Sequence, residues 1–499
     1  MLRKTTCLIF TIIFIIYFNL YAGDRPQWGE RHTRNMVSDE TGLPDQFDPE
    51  SGENIKWKVK LGTQSYSTPV ISNGKIFIGT NNENPRSPLH KGDKSVLFCL
   101  NEENGSLCWQ LVVPKLPYDI YWDWPKEGIC SPATVEGNRV YIVSNRGEVL
   151  CLDINGHANG NDGPFKDESK HMSNEDEKPV KLTKKDADII WLFDMLAEEN
   201  VRQHDGAHSS ILLKGNYLYV NTSNGTDKTH RFIRSPEAPS LIVLDKRTGK
   251  IVARDYENIG PNIFHSTWSS PTLGVVNKKP QIYFGGGDGI VYAFDSITSS
   301  HPGKKQKLNK IWWFDGDPTA PKDSVHKYVG NHKISPSNIK SMPVFYKGRV
   351  YYTLGGDIWW GKRKSWIKCI DATKTGDITK TGQLWSVAMD HHCCATPSIY
   401  NGLVFVGDCG KNIHCIDAET GKLYWSQKTH GPIWASALAA DGKVYVGTRR
   451  GGVWIFAADK EKKLIHNIRL DSAICASPVA ANGVLYIATL KYLYAIAQN

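Results

Sequence analysis

Long apolar runs are nearly absent from this 499-residue chain. The stretch from Cys7 to Phe18 is about a dozen residues, short of the roughly 20 that a bilayer-crossing helix needs. It follows Met1-Leu2-Arg3-Lys4 and precedes Asn19-Leu20-Tyr21-Ala22-Gly23, the charged, apolar and small-residue order of a secretory signal. Residues 1–22 therefore read as a leader cleaved near Ala22, and the mature chain as extracytoplasmic, either periplasmic or secreted. No cysteine follows the small residues, which argues against a lipoprotein. A strong charge of one sign is lacking too: 60 Lys and Arg against 51 Asp and Glu give +9, and loss of Arg3 and Lys4 with the leader lowers this by two to +7. The basic clusters at 304–310, 362–364 and 460–463 fall where loops are expected, which speaks for a solvated surface and against a nucleic-acid groove. There is no Cys-x-x-Cys-His, hence no site for a covalently attached c-type haem.

What the chain does have is 16 Trp, 21 Tyr and 44 Gly, a composition that leans towards β-structure with many turns. One unit recurs through it. The clearest copy, "ATPSIYNGLVFVGDCGKNIHCIDAETGKLYW" (Ala395 to Trp425), holds a short apolar strand, an Asn-Gly turn, two alternating strands, a Glu-Thr-Gly turn and a strand ending in Trp. Its first-strand signal returns eight times, at Ser67-Thr68-Pro69, Ser131-Pro132, Ser209-Ser210, Ser269-Ser270-Pro271, Ser341-Met342-Pro343, Thr396-Pro397, Ser436-Ala437 and Ser477-Pro478. Four short strands in about 40 residues make one propeller blade, so residues 54–499 are expected to form an all-β, eight-bladed β-propeller of four-stranded antiparallel blades. The eighth unit ends without an outer strand and a spare strand at 54–59 precedes the first, so the N-terminal strand is expected to close the ring. Residues 23–53 are left as an N-terminal extension.

"CIDAETGKLYW" (Cys415 to Trp425) and "VLDKRTGKIVA" (Val243 to Ala253) resemble the repeat of the PQQ-like β-propeller family, and "CLNEENGSLCW" (Cys99 to Trp109) resembles it loosely. Secreted propellers of this type are similar through "PQWGERHTRNMVSDETGLPDQFD" (Pro26 to Asp48) and "GGGDGIVYAFD" (Gly285 to Asp295) as well. The resemblance implies the ring, but a fold is not a reaction.

Repeat alignment gives each cysteine an address. Cys99, Cys151, Cys369 and Cys415 share the small core position that Val243, Ala293, Ile455 and Ala495 fill elsewhere. Cys394, three residues before Pro397, aligns with Tyr66, Ile129, His208, Trp268, Lys340, Trp434 and Cys475, and these eight side chains are expected to ring the mouth of the central channel. Tyr66, His208, Trp268, Lys340, Cys394 and Trp434 are the candidate ligand-binding residues, since aromatic and polar occupants suit stacking better than a sealed plug. Loops above them carry Asp123, Trp124, Glu127, His204, Asp205, His265, His391, His392 and His430, which would form a metal site only if three or four converged. Insertions at 81–94, 223–239 and 355–365 are expected on the same face. A further insertion, 154–188, opens with "DINGHANGNDGPF" at Asp153, whose alternating Asp and Asn oxygens suit calcium but lack the closing Glu of an EF-hand, so it reads as a polar turn.

Two functions fit this pattern. One is a non-catalytic scaffold that binds a protein, peptide or glycan, as the resemblance to the propeller subunit of the outer-membrane β-barrel assembly machinery implies. The other is a PQQ-dependent quinoprotein dehydrogenase acting on an alcohol or sugar, with PQQ and calcium as cofactors. The vicinal pair Cys393-Cys394 resembles the disulfide such enzymes place over the quinone, although here the pair sits in the sixth unit and calcium ligands or a catalytic Asp have no matching positions. If the leader reading is right, N-terminal sequencing of the exported protein will begin at Gly23; an intact Met1 would mean an uncleaved anchor.

Overall fold

The computed structural model describes residues 23–116, 120–299 and 305–498, so the leader at 1–22 lies outside the described residues. The two-residue turns set the hairpins. Asn73-Gly74, Asn401-Gly402, Asp441-Gly442 and Asn482-Gly483 each hold φ between 50° and 77°, the left-handed pair a type I′ hairpin requires. They join each innermost strand to the next, as in Ser398–Tyr400 with Leu403–Gly407, and two further antiparallel strands complete the blade at Asn412–Asp417 and Leu423–Lys428. Eight such sheets form, three of them with an added parallel edge strand. The fourth strand of the last blade is Ile55–Lys60, paired antiparallel with Tyr492–Ile496, so the N-terminal strand closes the ring as expected.

The outer-strand Trp joins neighbouring blades. Each indole N–H donates to a carbonyl at the Asp-x-x-Thr-Gly turn, or its equivalent, in the following blade: Trp57 to Glu102, Trp109 to Ile154, Trp191 to Lys246, Trp312 to Ala372, Trp385 to Ala418 and Trp425 to Asp459, at 2.9–3.3 Å. The glycine of that turn must stay glycine where the indole lies on it: a Cβ at Gly249 would stand 2.5 Å from Trp191, and one at Gly421 2.8 Å from Trp385. Across the sheet the Trp faces a small residue, namely Ala495, Cys99, Cys151, Ala293, Cys369 and Cys415 in turn. In the two blades without the Trp, the same site holds Val243 opposite Ala253 and Ile455 opposite His466. The four cysteines are buried there as volume-matched partners of an indole.

The extension at 23–53 lines the lower end of the channel. The innermost strand of a blade leaves one edge unpaired towards the axis, and buried backbone groups there need partners. Residues 25–38 supply them around the ring. Ile71 donates to Arg25 O, Val135 to Pro26 O, Leu273 to His32 O, Phe345 to Thr33 O and Ala439 to Met36 O, while the Asn35 amide bonds both N–H and C=O of Ile399 and Ser38 reaches Ala480 O. The remaining blade is met by Arg34, whose fully buried guanidinium donates to Ser210 Oγ and O, and also to Pro271 O and Trp28 O. Burial pulls its pKa down to about 9, so it stays charged at neutral pH on backbone and hydroxyl acceptors.

Two substitutions test these joints. Arg34→Met strands several buried acceptors and is expected to destabilise the fold by about 3–5 kcal/mol, since hydrogen bonds to a charged group contribute ~1.5–3 kcal/mol each; a midpoint unchanged in denaturant unfolding refutes the role. Cys151→Ile, which crowds Trp191, is expected to cost about 1–3 kcal/mol, with Cys151→Ala nearly neutral and Trp191→Ala recovering part of the isoleucine's cost.

Candidate functional site

Because the extension closes one end, the channel is a cup that opens on the loop-bearing face. Trp28 lies at its floor and donates its indole N–H to Ser477 Oγ. The cavity is about 520 Å³. All six candidate residues line it: Tyr66, His208, Trp268, Lys340, Cys394 and Trp434, together with Cys475. Ile129 does not. It is buried in the core between blades one and two, and Cys130 faces the cavity in its place. The register explains the error. Each channel residue stands four positions before its innermost strand begins, as Tyr66 does before Val70 and Cys130 before Thr134. Pro132 occupies the place of Thr68 rather than that of Pro69, so counting back three from the proline lands one residue too early.

Cys393 and Cys394 diverge, as neighbours in extended chain must. Cys393 packs between blades five and six with its thiol on Gly407 O at 3.1 Å, while Cys394 faces the cavity next to Cys409. Both are free thiols.

Above this ring the loops gather three imidazoles. His204 and His265 come from the segments entering blades three and four, and His230 from the insertion at 223–239. One nitrogen of each lies within 4.8 Å of the others, and His204 Nε2 and His230 Nε2 are 3.1 Å apart. Asp205 closes the group, with its carboxylate 3.3 Å from His265 Nε2 and 3.6 Å from His204 Nε2. Asp205 and His230 hold φ of 58° and 60°, a conformation uncommon for residues other than glycine and met at sites where the surroundings dictate the geometry. Burial, with His265 adding, pushes His204 down to about 3, and burial takes His208 down to about 4, so both rings are neutral acceptors near pH 7.

The far side of the group is tied to the channel ring. Asp357, buried at the start of the 355–365 insertion, accepts from His265 Nδ1 at 2.9 Å and pairs with Lys340 Nζ at 2.9 Å. Burial alone would raise the Asp357 carboxyl, but Lys340 and His265 hold it well below the usual carboxylate range. Its other oxygen accepts from the backbone N–H of Trp359 and Trp360, which fixes both indoles over the mouth. Lys340 Nζ also sits 3.9 Å from the Trp268 ring centre, and the Arg449 guanidinium 3.8 Å from that of Trp434. Burial lifts Glu127 to about 8 against the pull of Lys115, so this cavity-lining acid carries a proton at neutral pH.

Of the loop residues singled out in the sequence, Trp124, Glu127, Asp205 and His265 reach the cavity wall and His204 backs it. Asp123 is buried in an ion pair with Lys115, His391 and His392 meet edge to face outside the cavity lining, and His430 packs on Trp454. Tyr121, His230, Asp357, Trp359, Trp360 and Arg449 are the functional residues that sequence reading missed. The insertions at 223–239 and 355–365 had the right face, and their aromatic and imidazole residues were the available signal. On the flank between blades one and two, the 154–188 insertion does not wrap its Asp and Asn oxygens around one point. Asp153 pairs with Arg139, and His157, Glu168 and Asp188 cluster instead.

Calcium does not fit the cup. It calls for six to eight oxygens, whereas the donors here are three imidazoles, one carboxylate they share, a second carboxylate spent on Lys340 and His265, and a protonated Glu127.

Residues 363–464 match the family model described as outer membrane protein assembly factor BamB. No curated protein matches the chain in sequence. Among solved structures, BamB from Moraxella catarrhalis superposes with a TM-score of 0.53 at 13% identity, over 89% of this chain and 97% of that one. The quinohemoprotein alcohol dehydrogenase from Comamonas testosteroni gives 0.58 at 12% identity over 95% and 80% of the two chains. The corresponding enzyme ADHIIG from Pseudomonas putida HK5 gives 0.58 at 11% over the same shares. At such identities the likeness is one of fold: an eight-bladed propeller of PQQ-like repeats, the architecture common to BamB and the quinohemoprotein alcohol dehydrogenases.

Proposed function

We propose that this chain is an extracytoplasmic ligand-binding propeller whose axial cup takes a flat, anionic small molecule. The observation that carries the reading is Arg449, which lies over Trp434 with no carboxylate of the described residues within 4 Å. A guanidinium that touches the Cys475 thiol and an indole but has no carboxylate partner, at a cavity wall, suits a carboxylated aromatic ring, which would stack on Trp268, Trp359 or Trp434 and pair with the cation. The volume, about 520 Å³, is that of a small-molecule site. The extracytoplasmic placement is supported by the leader-like residues 1–22 and by the fold shared with BamB.

A quinoprotein dehydrogenase needs a calcium ion beside the quinone, and the donor set of the cup does not support one; the ionised carboxylate that lines the cup, Asp205, is engaged by His265 and the Trp124 indole. PQQ itself, a planar tricycle bearing carboxylates, has the shape and charge the cup asks for, and so serves as the probe. The loop face also supports a second reading, a macromolecular partner held at the rim. Trp359, in the cavity wall, and Phe232, on the loop that carries His230, are both exposed.

Quenching of tryptophan fluorescence by PQQ, with and without a calcium chelator, tests the proposal. Saturable, stoichiometric binding that is indifferent to the chelator is expected, and Arg449→Met should weaken it about 10- to 100-fold, the equivalent of one charge-assisted hydrogen bond. Failure of PQQ and of simpler aromatic carboxylates to bind, with capture of a protein or glycan that Phe232→Ser abolishes, would favour the rim. Calcium-dependent binding with dye-linked oxidation of an alcohol would establish the dehydrogenase.

A further inference from the structure

We propose that His204, His230 and His265, with Asp205 as the fourth donor, form a site for a divalent transition-metal ion of the zinc or copper(II) class. The lone pair of His204 is placed by what holds the opposite side of its ring. His204 Nδ1 lies 2.7 Å from the carbonyl of Thr226, which can only accept, so the proton sits on Nδ1 and Nε2 presents a lone pair. His265 Nδ1 bonds to Asp357, while its Nε2 is buried, makes no hydrogen bond and stands 3.3 Å from Asp205 Oδ2. His204 Nε2, His265 Nε2 and the Asp205 carboxylate thus face one region from which water is largely excluded. A cation bound there would engage the unpartnered His265 Nε2 and balance the buried carboxylate together.

The spacing has the scale of a coordination polyhedron. A tetrahedral ion with bonds of about 2.0–2.2 Å places its donors roughly 3.3–3.5 Å apart. The three imidazole nitrogens lie within 4.8 Å of one another, with 3.1 Å between His204 and His230; beside them Asp205 sets Oδ2 3.3 Å from His265 and Oδ1, which also accepts from the Trp124 indole, 3.6 Å from His204. The supporting contacts are those a ligating imidazole needs: a carbonyl behind His204 and a buried, ion-paired carboxylate behind His265. Aromatic rings shield the group, with Tyr121 stacked on His204 at 5.5 Å and Trp360 against His230 at 4.6 Å. Imidazole donors select zinc or copper over calcium or magnesium. His230 and His265 also line the cup, so the ion would stand in its wall. The proposal holds whether or not a small molecule binds there.

Its test uses the full mature chain, stripped with a chelator and titrated separately with Zn2+, Cu2+, Co2+ and Ca2+ in the absence of any organic ligand. One equivalent of zinc or copper is expected to bind tightly, calcium not at all, and cobalt is expected to develop the strong visible bands of a four-coordinate ion. His230→Ala and His265→Ala should each weaken zinc binding by about 100-fold or more. Asp357→Asn, which alters a positioning residue, should weaken it by about 10- to 100-fold. Absence of stoichiometric zinc and copper uptake overturns the proposal, as does uptake that His157→Ala in the flank cluster abolishes and His230→Ala leaves intact. Should a histidine variant fail to fold, the cobalt spectrum of the unmodified chain decides: no visible bands, no site.

Discussion

Eight innermost strands turn an unpaired edge towards the axis, and that shortage of hydrogen-bond partners is the constraint around which the molecule is arranged. Residues 25–38 answer it blade by blade, at the third with an arginine that has no exposed surface. The consequence for the site is direct. With the lower end occupied, the channel becomes a blind cup with Trp28 as its floor, and the polar and aromatic side chains at the strand starts face a confined volume rather than an aqueous pore.

A second constraint runs around the outside. Every Trp joint needs room on its own sheet and a bare glycine or its equivalent in the next blade, and the sequence varies in step: small residues face the six indoles, Val243 and Ile455 stand where the indole is missing. This makes the number and order of blades readable from sequence, since the same packing problem recurs with the same solution. It also accounts for the burial of the four core cysteines. The exception to the repeat was equally physical: at Ile129 a proline shifted by one position moved the count, and in extended chain one position exchanges the channel for the core.

The candidate site was legible only in part, for a reason that repetition itself supplies. Tyr66, His208, Trp268, Lys340, Cys394 and Trp434 occupy a repeated position, so alignment found them. His230, Asp357, Trp359, Trp360 and Arg449 belong to insertions and turns with no counterpart in other blades, and no periodicity points to them. The convergence of His204, His230 and His265 from three segments is a property of the assembled ring. HHCCATPS, conspicuous on paper, turned out to split between a core and a cavity, and its histidines to lie off the site.

The lacing by residues 25–38 has a consequence for how the molecule is made. These residues and the closing strand at 55–60 are near the beginning of the chain, yet their partners reach to Ala480 and Ile496. Neither can be satisfied until the last blade has emerged, so folding cannot keep pace with synthesis, and the ring locks only once both ends of the polypeptide are present in the same compartment.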